Sequence, residues 1–478
     1  MRHVLTTIAL LFPQLTTVDA AEKTQPNFVI VIGDDVGWDA FGCTGTQSAR
    51  TPNIDKLAAQ SLHMERFYCS VSQCAPLRAE MYTGLLPNNN GVLANARKVS
   101  RPGVKNVADH LKPLGYRIGW TGKKHFGLGQ TKLDNITGFP GGGNDSNKTY
   151  SLDGVRDYIK ESQSGGDPFC VFICSIHAHH PWDHGKESNF PTDKLKLPPH
   201  YIDTPAARQA IAKHAAEVEV LDRQVGDTAA LLRTLEVDDN TVLIFLSEQG
   251  IAMPRGKWSP YDYGSRALCL AHWPGKIAPR KTNAIAMYCD IVPTLVDLAG
   301  GADPQLDGRS LQSVWLDGQD EHRDAAFISN VHPFWQKAIV TQEYKLVWSA
   351  EPKREHIWSN FTSAGKFFSK PWTEWTAKAE TDKAAAAKLK HVLHPDVLEL
   401  YRIDKDPYEV HNLATDPQHA KTIAKLHTQL KELMTAAGES LEPSAGNDRR
   451  KKPKNGASRN GAKPKRSGER PRKKKEGT

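Results

Sequence analysis

Four apolar runs punctuate the first half of the chain, and each breaks off into polar residues. NFVIVIG (27–33) runs into Asp34 and Asp35, and YRIGWTG (116–122) into Lys123, Lys124 and His125. FCVFICSI (169–176) runs into His177, His179 and His180, and TVLIFLS (241–247) into Glu248 and Gln249. Unbroken apolar runs of this length predict strands of a sheet covered on both faces. Between them the spacing turns helical. Thr51 and Pro52 open one helix; Val104, Val107 and Leu111 share a side of a second. After Pro205, residues Ile211, Ala215, Val218, Leu221, Val225 and Leu232 form a long stripe. Strands alternating with helices predict an α/β fold with a doubly wound, mostly parallel sheet. Beyond Ala325 the runs shorten (AAFISN, KAIVTQEYKLVWS, VLELYRI). An amphipathic helix then carries Ile423, Leu426, Leu430 and Leu433 on one face and stops at Gly438. The predicted organisation is a large domain over 21–324, a smaller C-terminal α+β domain over 325–440 and a tail over 441–478.

Composition changes this picture at the two ends. Residues 1–20 start with Arg2 and His3, continue apolar to Leu15, and offer Val18 and Ala20 before Ala21. This is the pattern of a signal peptide, so the expected location is periplasmic or secreted. The net charge of the 478 residues is +8. From Asp448 to Thr478, 14 Lys/Arg meet 3 Asp/Glu, which is +11 and leaves the remainder at −3. That tail has no apolar residue larger than Ala or Pro and is expected to be disordered. It suits contact with a polyanion; an export signal argues against nucleic acid. Seven cysteines are too few for a disulfide scaffold, although one or two bridges fit an oxidising compartment.

The stretch SQCAPLRAEMYTG (72–84) concentrates the chemistry. Pro76 suits a first helical turn, where its missing N–H costs nothing. Cys74 then lies at the positive end of a helix, with Arg78 one turn further along the same side. Such a place holds an anion or activates a nucleophile; the plain alternative is a buried thiol beside a surface arginine. Asp34, Asp35, Glu248 and Gln249 supply only oxygen ligands, which suit a hard cation, Ca2+ before Mg2+. Arg78, Lys123, His125, His180 and Lys257 supply positive charge or protons. Sites in doubly wound sheets form outside the carboxyl ends of strands, so these clusters are expected on one edge. A divalent cation among Lys, Arg and His is what a tetrahedral oxyanion ester needs. A transition metal on His177, His179 and His180 is the lesser alternative, because their spacing does not suit one helix face.

These residues carry a family resemblance. CAPLRAEMYTGLLPNNNGV resembles the sulfatase signature. DDVGWDAFGCTG, TPNIDKLAAQS, GYRIGWTGKKHFG, GKWSPYDYGSRALCLAHWPG, DIVPTLVDLAGG, LDGRSL and LELYRIDKDPYEVHNLA extend the resemblance over residues 27–414. It implies an alkaline-phosphatase-like fold and a Ca2+-dependent type I sulfatase. It also implies that a formylglycine-generating enzyme, reading the cysteine, proline and arginine, oxidises Cys74 to formylglycine. The family's calcium ligands then fall on Asp34, Asp35, Glu248, Gln249 and the modified Cys74. Arg78 steadies the hydrated aldehyde and the metal. Lys123, His180 and Lys257 bind sulfate oxygens or assist the leaving group, and His125 holds the second hydroxyl. One hydroxyl attacks sulfur and expels the alcohol or amine; deprotonating the other eliminates sulfate.

Three departures stand out: Leu77 where serine is usual, Glu248-Gln249 where Asp-Asn is usual, and His179 where proline often precedes the sulfate-site histidine. GKKH and SVSQCAPLR resemble the heparan N-sulfatase branch, and GKWSPYDYGSR the general glycan sulfatases. The expected substrate is a sulfated polysaccharide or its oligosaccharides, and the expected role glycan degradation. Two other readings use the same residues: a phosphate or phosphonate ester hydrolase of the same superfold, and a non-catalytic glycan-binding protein.

Overall fold

The computed structural model describes residues 25–443, except 47–48, 96, 99–100, 126–128, 142–148, 352–354, 357–358 and 363–367. The expected signal peptide and the basic tail from Arg449 lie outside the described residues. The described residues up to Leu441 belong to one compact unit.

The main sheet has nine strands. Its order is Arg280–Thr282, Leu62–Tyr68, Arg266–His272, Thr241–Leu246, Asn27–Ile32, Phe169–Cys174, Arg117–Gly122 and Asp134–Asn135, with Ala286–Met287 also paired to Leu62–Tyr68. Every neighbouring pair is parallel except those made by Arg266–His272, which is antiparallel on both sides. The central strand explains why its sequence reads as unbroken apolar. Phe28, Ile30 and Ile32 point to one face, where Leu77, Met81, Leu111 and Leu295 cover them. Val29 and Val31 point to the other, against Ile159, Val218, Leu221 and Val225. Burying each such side chain stabilises the fold by about 1.5–3 kcal/mol.

The four strands ending in candidate site residues are consecutive neighbours and mutually parallel. Their polar ends therefore share one edge. At one of these ends Gly122 takes φ +83, and a Cβ there would lie 2.0 Å from the Cys174 carbonyl oxygen. Only glycine lets the chain turn so tightly, and the turn directs the Lys123 N–H to that carbonyl at 2.9 Å.

The helices follow the sequence with two differences. The second begins at Val107, because Asn106 caps it reciprocally with Asp109, so Val104 lies before it. The long helix, Pro205–Thr234, begins where the apolar stripe predicts, and the Thr204 side chain caps it by accepting from the Ala207 N–H. Between the third and fourth C-terminal strands, where the sequence reading places no helix, stand helices Ser369–Ala379 and Lys383–Leu393.

Strands Ala326–Asn330, Gln336–Val340, Tyr344–Ser349 and Leu398–Arg402 make a second, antiparallel sheet. One face packs Phe327, Ile339, Leu346 and Leu400 against Leu426, Leu430 and Met434 of helix Ala420–Ala436. The other packs Ile328, Ala338 and Val347 against Tyr68, Tyr261 and Met287 of the main body. Its first strand also supports the turn before Cys74. The Ser329 N–H donates to the Ser70 carbonyl at 2.6 Å, and Asn330 Oδ1 accepts from the Ser72 N–H at 3.3 Å.

Candidate active site

Helix Cys74–Thr83 is buried along its whole length, and Cys74 is its first residue. Around the Cys74 sulfur stand Lys257 Nζ at 2.9 Å, Gln249 Nε2 at 3.3 Å, Asp35 Oδ1 at 3.5 Å, Asp34 Oδ1 at 3.6 Å and Lys123 Nζ at 3.7 Å. One turn along, the Arg78 guanidinium donates to Glu248 Oε1 at 2.8 Å, the Lys123 carbonyl at 2.5 Å and the Gly33 carbonyl at 3.3 Å. Glu248 Oε2 in turn accepts from the Asp35 N–H at 3.0 Å.

Three ion pairs result: Lys123–Asp34 and Lys257–Asp35, both at 2.5 Å, and Arg78–Glu248. Three carboxylates thus meet three cations. Burial alone would raise the carboxyls of Asp34 and Asp35. The facing Lys123, Lys257 and His179 outweigh it and hold both below the ordinary carboxylate range. Burial would likewise discharge Lys123 and Lys257, but Asp34 and Asp35 keep both ammoniums charged. Burial and the nearby Glu248 push the Cys74 thiol up despite both lysines, so it stays protonated at neutral pH.

Asp34, Asp35, Cys74 and His179 each offer a ligand atom within 4.8 Å of the others. Gln249 Oε1 is buried with no hydrogen-bond partner among the described residues, while its nitrogen sits against Asp35 Oδ1 at 2.5 Å and Glu248 Oε2 at 2.8 Å. Amide orientation is an assignment from the surrounding groups, and a cation among these oxygens reverses the preference. Hard oxygen donors with one orphaned carbonyl fit a divalent ion of the calcium type.

His179, which the sequence offers only as a lesser transition-metal ligand and a departure from the signature, joins the cluster. Its Nε2 lies 3.6 Å from Asp35 Oδ2. His180 stands on the adjoining wall, its ring edge-on to Trp182 at 5.9 Å. His125 lies on the turn after Lys123 with φ +51. His214, on the long helix, donates from Nε2 to the Asp35 carbonyl at 3.0 Å. Its signal was a histidine on an otherwise apolar stripe, between Ile211 and Val218. His177 leaves the cluster: its Nδ1 lies 2.5 Å from Glu217 Oε2, and Glu217 Oε1 accepts the His184 N–H at 2.7 Å. All seven cysteines are free thiols.

A buried, charge-balanced cluster of carboxylates and ammoniums, at the carboxyl edge of a doubly wound sheet, defines a hydrolase of oxyanion esters with the alkaline-phosphatase-like fold. More particularly, the chain belongs to the sulfatase family, whose model, described as Sulfatase, matches residues 26–302, and it is a sulfuric ester hydrolase. It is similar to an ulvan-active sulfatase of Formosa agariphila, 28% identical over 88% of this chain and 82% of that one. Human arylsulfatase A is also 28% identical, over 82% of this chain and 84% of its own. Among solved structures, a protein in complex with its substrate D-glucosamine-2-N,6-O-disulfate superposes with a TM-score of 0.66 at 18% identity. That match covers 88% of this chain and all of that one.

Proposed function

We propose that this enzyme desulfates sulfated glycans using formylglycine made from Cys74 and a Ca2+ ion held by Asp34, Asp35, Glu248 and Gln249. The observation that carries the reading is the surroundings of Cys74: a sulfur ringed by two lysines, two aspartates and an amide at the start of a buried helix. A thiol kept protonated by burial is a poor nucleophile, which favours modification over thiolate chemistry. Formylglycine, when hydrated, supplies an oxygen nucleophile for sulfur and an aldehyde to which the residue returns. Ca2+ supplies Lewis acidity toward the sulfate oxygens.

The chain's own groups do the rest. As it stands the cluster is neutral; a divalent cation adds +2, which a sulfate group and its developing charge offset. Lys123 and Lys257, fixed in direction by Asp34 and Asp35, bind sulfate oxygens without reorganising. Arg78 holds Glu248 and the turns after two strands in register. His180, on the open wall, gives a proton to the leaving oxygen or nitrogen, and His125 takes one at the nucleophile's second hydroxyl. Burial of Asp34, Asp35 and Glu248 excludes water and strengthens each of these contacts.

The glycan class is supported by the ulvan-active relative and the glucosamine disulfate complex. Residues 1–20 direct export, and a formylglycine-generating enzyme acts on Cys74 along that route.

The test is mass spectrometry of exported protein alongside a substrate panel. The chain should begin at Ala21, and the tryptic peptide ending at Arg78 should carry formylglycine. Cys74→Ala should abolish desulfation, and chelation should remove activity that calcium restores better than zinc. Faster hydrolysis of a matched phosphate or phosphonate ester than of the sulfate ester would refute the reading. So would full activity in Cys74→Ala.

A further inference from the structure

A cleft of about 480 Å3 opens beside the catalytic cluster. It begins at His180, passes Trp182, follows the first turns of the long helix at Gln209 and Lys213, and closes at Lys370 and Pro371. Its volume falls in the range of roughly 300–1,000 Å3 usual for small-ligand sites. Two contacts tie it to the cluster. The Trp182 indole lies edge-on to His214 at 5.6 Å, and His214 donates to the Asp35 carbonyl. His180, against the same indole, follows His179, which reaches Asp35.

The cleft's charge differs from the cluster's. Lys123 and Lys257 each face a carboxylate, whereas Lys213 and Lys370 have no ion pair or hydrogen bond with any described residue. Asp183, the acid on the wall, is engaged by His184 Nδ1 at 2.9 Å. Among the described residues, therefore, two ammoniums without counterions line a cavity floored by an aromatic ring. The Trp182 N–H is used by the Ala178 carbonyl at 2.8 Å, so the ring offers the cavity apolar surface.

We infer that this cleft is a subsite for a second anionic group, sulfate or carboxylate, on the sugar next to the one being desulfated. The inference rests on the glycan reading above. The ring of that neighbouring sugar packs on Trp182, and Lys213 and Lys370 bind its anion. The enzyme thereby prefers densely charged chains to isolated sulfate esters.

The test pairs Lys213→Gln/Lys370→Gln with wild type on three sulfated disaccharides whose neighbouring sugar carries a sulfate, a uronate carboxylate or no charge. The ratio of kcat/KM for an anionic neighbour over the uncharged one should fall about tenfold, mainly through KM, as expected for losing charge-assisted hydrogen bonds from a half-buried Lys213 and an exposed Lys370. The effect should shrink as salt rises. Lys213→Arg/Lys370→Arg should keep the preference, and the sulfate and uronate arms show which anion the subsite takes. An equal loss on all three substrates, or no loss on any, would overturn the subsite. Calorimetric titration of the same disaccharides reads the subsite independently of turnover. Lysine-dependent binding without any desulfation would sink the functional reading but not the subsite, and lysine-independent binding would sink the subsite.

Discussion

Replacing Arg78 by methionine should cost about 3–5 kcal/mol of folding stability, the range for breaking a buried ion pair from one side. The structure supplies the reason. Arg78 and Glu248 are both fully buried, with side chains 0% exposed. The guanidinium also satisfies the Lys123 and Gly33 carbonyls. Methionine fills similar volume, so the loss is electrostatic rather than a cavity. It leaves Glu248 charged, dry and facing Asp34 and Asp35 with one cation fewer. Glu248→Gln in the same background removes that stranded charge while keeping an oxygen for the Asp35 N–H. The double variant should therefore recover at least about 1 kcal/mol relative to the sum of the two single losses. The assay is urea unfolding followed by tryptophan fluorescence, in chelator, so that no bound cation alters the balance. A loss below about 1 kcal/mol for the single variant, or strict additivity in the cycle, would refute the view that the pair holds the strand ends together.

Glu80 gives a prediction in pH. Burial raises its carboxyl from 4.5 to about 7, although Ser70 and the Cys289 N–H donate to it. The folded state then binds its proton more tightly than the unfolded chain, so this group's stabilising share is full below about pH 4.5 and is lost as pH rises through 7. Glu80→Gln should remove that slope, and its unfolding free energy relative to wild type should rise by up to about 3 kcal/mol between pH 4.5 and 8; a flat difference would show that Glu80 keeps its ordinary pKa. Removing residues 449–478 should leave turnover of a small sulfate ester unchanged and weaken retention on a sulfated polymer at low salt, with the gap closing as salt rises. Equal retention of both forms at low salt would show that the tail does not hold the enzyme to polyanions.

Much of this protein is local in origin. Side chains on a strand alternate, so a strand covered on both faces must be apolar throughout, and the runs at 27–33, 116–122, 169–176 and 241–247 declared themselves that way. Capping is local too, which is why Thr204 marks the start of the long helix. The order of Cys74, Pro76 and Arg78 likewise marks a helix start with its charge one turn in. Other features join residues far apart in the chain. That four strand ends share an edge depends on their being parallel neighbours, and Lys257 reaches Asp35 across 222 positions. Which of three adjacent histidines turns toward Asp35 depends on the packing of Trp182 and Glu217 around that turn, and His179 reaches it. The two helices between the third and fourth C-terminal strands fold where Trp375 can bury against Tyr201, at a ring distance of 5.3 Å. Periodicity reports which face of an element is buried and is silent on what buries it. Charge pairing, strand order and the choice among neighbouring histidines follow from that partner, and only the tertiary structure supplies it.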